Sequence, residues 1–143
     1  MEKVALAEIN ILGKPENVFQ RRDGNAPTSP HRLAWFGGHI DIDDKTPFDA
    51  ILRELGEETS LDVRNQVIFG NRTVHEVPAK YSSSKELVVV HLFRTMILAT
   101  DVNFEVNEGS GAEYYTNEEL LQRNDVASIV RFILEHPEES QII

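Results

Sequence analysis

Cysteine is absent from the 143 residues. Disulfides and a thiolate zinc site are thereby excluded, and a reducing compartment is compatible with the chain. Positive charge is scarce: 14 Lys and Arg against 24 Asp and Glu leave a net charge of −10. That deficit argues against a grip on a nucleic-acid polymer and against attraction to an anionic membrane surface. A small nucleotide substrate stays open, because a bound divalent cation reverses the local charge. Long apolar runs are missing too. Met1-Glu2-Lys3 leads into a short alternating segment rather than a leader or a membrane span. No membrane partner and a cytoplasmic location are therefore expected. Internal repeats and linkers are also lacking. With 41% apolar and 27% charged residues, one domain over residues 1–143 with its own core is expected, and a homodimer is left open.

What the chain does have is concentrated between Trp35 and Leu61. Thr46 can cap a helix, Pro47 suits its first position, and Asp49 stands three residues after the cap. The helix is expected from about Pro47 to Thr59. Phe48, Ile51, Leu52 and Leu55 follow at helical spacing as one apolar stripe. At roughly 100° per residue, Glu54, Glu57 and Glu58 share an arc of about 100° away from that stripe. Ala50 falls among them and is expected to leave space above the helix. Arg53 flanks the arc and can brace a carboxylate. Three carboxylates on one face repel unless a cation sits between them, and oxygen ligands with room for water suit Mg²⁺ or Mn²⁺. A solvated Glu-rich face is the bland alternative. Gly37-Gly38 upstream reads as a sharp turn that brings a backbone carbonyl towards the same place.

Arg53-Glu54-Leu55-Gly56-Glu57-Glu58-Thr59-Ser60-Leu61, preceded by Gly37-Gly38, resembles the Nudix box. The chain departs from that pattern twice. Lys45 stands where the first motif Glu is expected, in a loop one residue longer than the family's, and Asp43 or Asp44 can supply the carboxylate. Ser60 stands where the family has Gly. A left-handed backbone there costs Ser about 1 kcal/mol. The resemblance implies an α+β fold, an α/β/α sandwich with a mixed β-sheet flanked by helices.

Around the box, Val4–Leu12 and Val18–Arg22 read as a hairpin, and 23–30 as a loop. Arg32–Phe36 reads as one short buried strand, with Trp35 as core or as a base-stacking residue. Gln66–Val77 reads as a strand with a slip. The 78–85 loop offers Lys80 and Tyr81 as lid contacts, against the plainer reading of a flexible polar loop. Glu86–Ala99 is the strongest strand signal and is expected to be central, with His91 a hydrogen-bonded strand residue. Ala112–Tyr115 reads as a last strand, followed by a short capped helix and a longer one over Val126–Glu135. A loose acidic tail is expected after Pro137.

The resemblance implies metal-dependent hydrolysis of a nucleoside diphosphate linked to another group, by cleavage of a pyrophosphate bond in a small nucleotide. The Gly38 carbonyl, Glu54, Glu57 and Glu58 are the implied ligands of Mg²⁺ (or Mn²⁺), and Arg53 braces a glutamate. Glu108, in a Gly-rich loop before Glu113-Tyr114, and Glu57 are the candidate bases. Arg21, Arg22 and His31 are candidates for phosphate contact, although each also reads as an ordinary surface residue. The alternative reading is a Nudix-fold nucleotide-binding or regulatory module of weak or no activity; an acidic scaffold without a ligand comes third.

Overall fold

The computed structural model describes residues 1–137 and the backbone of 141 and 142. Its organising element is β1 (Glu2–Ile11). One edge of β1 pairs in parallel with β6 (Val88–Ile97) along the full length of both strands, from Glu2 opposite Val88 to Ile11 opposite Ile97. β5 (Ile68–Val77) lies antiparallel on the far side of β6. β6 is thus internal, as its unbroken Val-rich run predicts. The expected slip in β5 is a register shift between Phe69 and Arg72. The expected loose tail lies mostly outside the described residues. Its Gln141–Ile142 segment, β8, pairs with β5 opposite Val74 and Thr73.

The second edge of β1 divides between two partners. Val4–Ala7 pair with β4 (Phe36–His39), whereas Ile9 and Asn10 pair with β2 (Asn17–Arg21). β2 then diverges to pair with β3 (Leu33–Ala34) and β7 (Ala112–Tyr115). Trp35 alone separates β3 from β4, and there the chain changes partner. The single strand expected at Arg32–Phe36 is therefore two strands, and Gly37-Gly38 is extended strand rather than a turn. The glycines serve close approach: a Cβ on Gly37, whose φ is +132°, would lie 2.1 Å from the Ala5 carbonyl oxygen.

Alternation along the strands gives the sheet two buried faces. On one, Ala5, Ala7, Ile9, Phe36 and Phe93 pack with Ile51 and Leu55 of α1 (Pro47–Glu58). On the other, Val4, Trp35, Val90 and Leu92 pack with Val130 and Ile133 of α4 (Ser128–Glu135). The last helix starts two residues later than Val126, because Val126 bridges to Leu33 in extended form. A short α2 (Val63–Gln66) precedes β5, and α3 (Asn117–Leu121) opens with a full capping box between Thr116 and Glu119. His91 differs from expectation: its Nδ1 is buried with no hydrogen-bond partner, and burial lowers its pKa. Tyr81 and Lys80 are placed against α4. Tyr81 packs on Phe132 of α4 at 5.0 Å between ring centroids, with the Lys80 ammonium over its ring.

Arg21 ties β2 to the second half of the chain. Its guanidinium donates to both Glu113 carboxylate oxygens, at 2.6 and 2.8 Å, and to Asp125 at 2.8 Å. The hydrogen bonds from Arg21 hold Glu113 below its usual range, and those from Arg123 and then Arg21 do so for Asp125. Depressed carboxylate pKa values stabilise the fold above the unfolded-state values and lose that stabilisation as pH falls through the folded ones. Arg21→Ala should cost about 2–3 kcal/mol at pH 7. The difference from the parent should shrink below about pH 4, where the unfolded carboxylates protonate. Denaturant unfolding at pH 7 and pH 3 measures both; an equal loss at the two pH values would contradict the account.

Candidate active site

α1 begins as the sequence predicts. Thr46 Oγ1 accepts the Asp49 N–H at 3.1 Å, with Pro47 at the first position. The face it buries is rotated from the expected stripe. Ala50, Ile51, Leu55 and Glu58 are buried, whereas Phe48 is 41% exposed. Ala50 is thus core, not a gap above the helix, because the sheet lies against that side. The acidic arc consequently runs from buried to open. Glu58 is 3% exposed, the Glu54 side chain 14% and that of Glu57 52%.

Glu58 Oε1 accepts the Gly37 N–H at 2.7 Å, which joins α1 to β4. Burial nevertheless pushes the Glu58 carboxyl up to about 8, with Glu54 and Glu108 adding like-charge repulsion. Burial also raises Glu54. Arg53 stands at the mouth of the arc. It donates to Glu54 at 3.1 Å, to Glu57 at 3.4 Å, to the His39 carbonyl at 3.2 Å and, through two nitrogens, to Asp44 at 2.9 and 3.1 Å. Asp44 in turn accepts the Asp41 N–H at 2.8 Å. Of the two acids that counting left open, Asp44 is the one that anchors the loop to Arg53. The extra loop residue carries it there, which is why spacing alone could not decide.

The helix ends without strain. Thr59 is extended and its Oγ1 donates to the Leu55 carbonyl at 2.7 Å. Ser60 is not among the residues with positive φ. Its N–H donates to the Glu105 carbonyl and its Oγ accepts the Glu105 N–H, so Ser at the family's Gly position clamps a loop instead of adopting a left-handed turn. Asn107 continues the clamp: its backbone and side-chain N–H groups donate to the Glu58 and Glu57 carbonyls. Nothing in the sequence signals that role except the position beside Glu108.

Glu108 follows directly. Gln20 Nε2 donates to its carbonyl at 2.9 Å, and Ser110 and Gly111 exchange backbone hydrogen bonds with Arg21. The Gly-rich loop is thereby pinned to β2. Gln20 and Asn107 are the positioning residues that the sequence reading missed; Asp44 is one of the two acids it left open.

Gln20 and Asn107 line a cleft of about 1230 Å³ between the diverging β4 and β2 edges. Gly38, Arg53, Glu54, Glu57, Glu58 and Glu108 stand together at one end of it. Arg22 also lines it, with its guanidinium donating to the Thr28 carbonyl at 2.7 Å. Arg21 and His31 are not among the lining residues. Arg21 is held by Glu113 and Asp125, and a Cβ on Gly24 would meet the His31 ring at 2.7 Å. Among the described residues no three Asp, Glu or His side chains converge to hold a metal ion as they stand. In kind the donor set fits Mg²⁺ or Mn²⁺: it is all oxygen, from three carboxylates and a backbone carbonyl.

Comparison with known proteins agrees with this layout. A sequence model described as the NUDIX domain matches residues 9–135. No curated protein matches the chain. Among solved structures, a MutT protein from Methanosarcina mazei Go1 superposes with a TM-score of 0.76 at 18% identity, covering 96% of this chain and 92% of that one. An Ap4A hydrolase of C. elegans gives 0.69 at 19% identity over 96% of both chains. The Nudix domain of Shewanella oneidensis NrtR, complexed with ADP ribose, gives 0.66 at 15% identity over 96% of this chain and 87% of that one. At such identities the structures establish the fold, and the domain match over nearly the whole sequence establishes the lineage: the chain belongs to the Nudix family.

Proposed function

We propose that the cleft hydrolyses a nucleoside diphosphate linked to another group, with a divalent cation held by Glu54, Glu57, Glu58 and the Gly38 carbonyl. The observation that carries this reading is the gathering of those groups, with Arg53 and Glu108, at one end of a cleft large enough for a nucleotide. Such an ion, when bound, supplies Lewis acidity towards a pyrophosphate. The protein's own residues do the positioning. Arg53, fixed by Asp44, holds Glu54 and Glu57 in place. Burial against β4 removes water from Glu58 and Glu54, which strengthens their attraction to a cation. The oxygen of a water molecule bonds to one phosphorus, the bridging P–O bond breaks, and the proton lost by the water passes to a carboxylate. Glu108 is the base we favour, held from the β2 side through Gln20; Glu57 is the alternative. Of the three candidates for phosphate contact, Arg22 is the one at the cleft.

The test is phosphate or pyrophosphate release from nucleoside diphosphate derivatives and triphosphates with Mg²⁺ or Mn²⁺. Glu57→Gln should lower kcat by about 100-fold or more while leaving the thermal midpoint close to that of the parent, since Glu57 is half exposed. One observation favours a second reading, a nucleotide-binding module: Arg53 and the Gly37 N–H already occupy carboxylate oxygens that a metal would need. Nucleotide binding with no turnover across the panel would select that reading.

A further inference from the structure

Away from its carboxylate end, the cleft is provided with apolar surface and hydroxyls but with little free positive charge. Val4, Leu6, Trp35, Val88, Ile129 and Val130 supply an apolar lining. Thr28, Ser29 and Ser82–Ser84 supply hydroxyls, and Ser29 Oγ meets Ser83 Oγ at 3.1 Å, joining the 23–31 loop to the 82–85 loop. The acids Glu2, Asp23 and Glu86 also line the cleft.

The basic side chains of the lining are Arg22, Arg53 and His39, and each has hydrogen-bond partners inside the protein. Arg22 donates to Thr28. Arg53 is surrounded by Asp41, Asp44, Glu54 and Glu57. His39 Nε2 lies 2.6 Å from Glu2. A third or fourth phosphate would bring further negative charge to a wall that already carries acids, and among these residues only Arg22, whose partners are the neutral oxygens of Thr28, has a charge not already paired with a carboxylate. A hydroxyl-rich group finds donors and acceptors there, and one planar base finds the apolar lining.

Resting on the proposed hydrolase or binding site, we infer that the cleft selects a nucleoside diphosphate whose second substituent is an uncharged polyol, such as a sugar, over nucleoside triphosphates and dinucleoside polyphosphates. Selectivity comes from the absence of a phosphate-binding cation beyond the first two phosphates, rather than from a dedicated sugar-binding charge.

Calorimetric binding with Mn²⁺ to the full chain carrying Glu108→Gln, which keeps all four proposed metal ligands, alongside turnover by the parent chain, separates the two levels. The probes are a nucleoside diphosphate sugar, a nucleoside triphosphate and a dinucleoside tetraphosphate with the same base. A preference of about tenfold or more for the diphosphate sugar is expected in binding, and in kcat/KM where there is turnover. Equal or tighter binding of the triphosphate or tetraphosphate overturns the inference whether or not the protein hydrolyses anything. Binding in the expected order without turnover leaves the inference standing and removes the hydrolase reading. Absence of binding to all three removes both. Ser83→Arg, on the exposed 82–85 loop, adds the missing cation and should raise relative affinity for the tetraphosphate by about tenfold. No change in that ratio would overturn the charge argument.

Discussion

Glu58→Gln should make the metal-free protein more stable above pH 7 and, under the proposed function, remove divalent-cation-dependent hydrolysis. The Glu58 side chain is buried at the junction of α1 and β4 and accepts the Gly37 N–H at 2.7 Å. That bond does not offset the loss of water around the charge, so the carboxyl is pushed up to about 8. An acid whose folded pKa exceeds its unfolded value holds its proton more tightly in the native state. The native state is favoured by that difference at low pH. Stability then falls as pH rises from about 4.5 to about 8, by up to about 1.4 kcal/mol per unit. The amide keeps the acceptor for Gly37 and removes the charge. A gain on the order of 2 kcal/mol at pH 8 follows, or roughly 4–8 °C in Tm, with little difference at pH 4. Melting curves in chelator at the two pH values test it. Under the proposed function, added Mn²⁺ raises the Tm of the parent and moves the variant less. A variant less stable than the parent at pH 8 would mean that the Gly37 bond to a full carboxylate outweighs desolvation, which would remove the charge argument for this site.

The same residue shows where reading the sequence stops. Helical spacing alone placed Glu54, Glu57 and Glu58 on one arc, and Thr46-Pro47 marked the start of α1, because capping and periodicity are local properties. Which side of that arc faces the sheet is not local. It depends on where β4 lies, and β4 was hidden because Gly37-Gly38 looks like a turn when no partner strand is in view. Once β4 is paired to β1, Ala50 becomes core and Glu58 becomes buried. β6 was legible for the opposite reason: a run buried on both faces needs no partner to be recognised. Asp44 and Ser60 lie at an intermediate level. Both depart from the family pattern by one position or one residue type. Their roles appear only through contacts across space, Asp44 with Arg53 and Ser60 with Glu105. Arg21 was offered as a phosphate contact because an Arg pair beside a polar loop has no visible counter-charge. Its partners, Glu113 and Asp125, are about a hundred residues away in sequence.

Gly37→Ala is expected to cost on the order of 4 kcal/mol or more, enough to leave the chain largely unfolded at 25 °C if its stability is ordinary. Two independent penalties meet at this position. The backbone φ of +132° is one that residues with a Cβ rarely adopt. The added methyl would also stand 2.1 Å from the Ala5 carbonyl oxygen and 2.8 Å from the Leu6 Cα, and both are backbone atoms of the central strand that cannot rotate away. Relief requires moving β4 off β1, which exposes Phe36 and releases the Gly37 N–H from Glu58. The neighbouring glycine is a control with the opposite expectation. A Cβ on Gly38 would meet only the Glu54 carboxylate, at 2.7 Å from Oε1, and that group can swing. Gly38→Ala should therefore fold, with a Tm within a few degrees of the parent, yet displace Glu54 and weaken Mn²⁺ binding under the proposed function. Circular dichroism melts of the two variants, followed by metal titration of Gly38→Ala, give the comparison. A folded Gly37→Ala with the parent's Tm would show that β1 and β4 are not in such close contact.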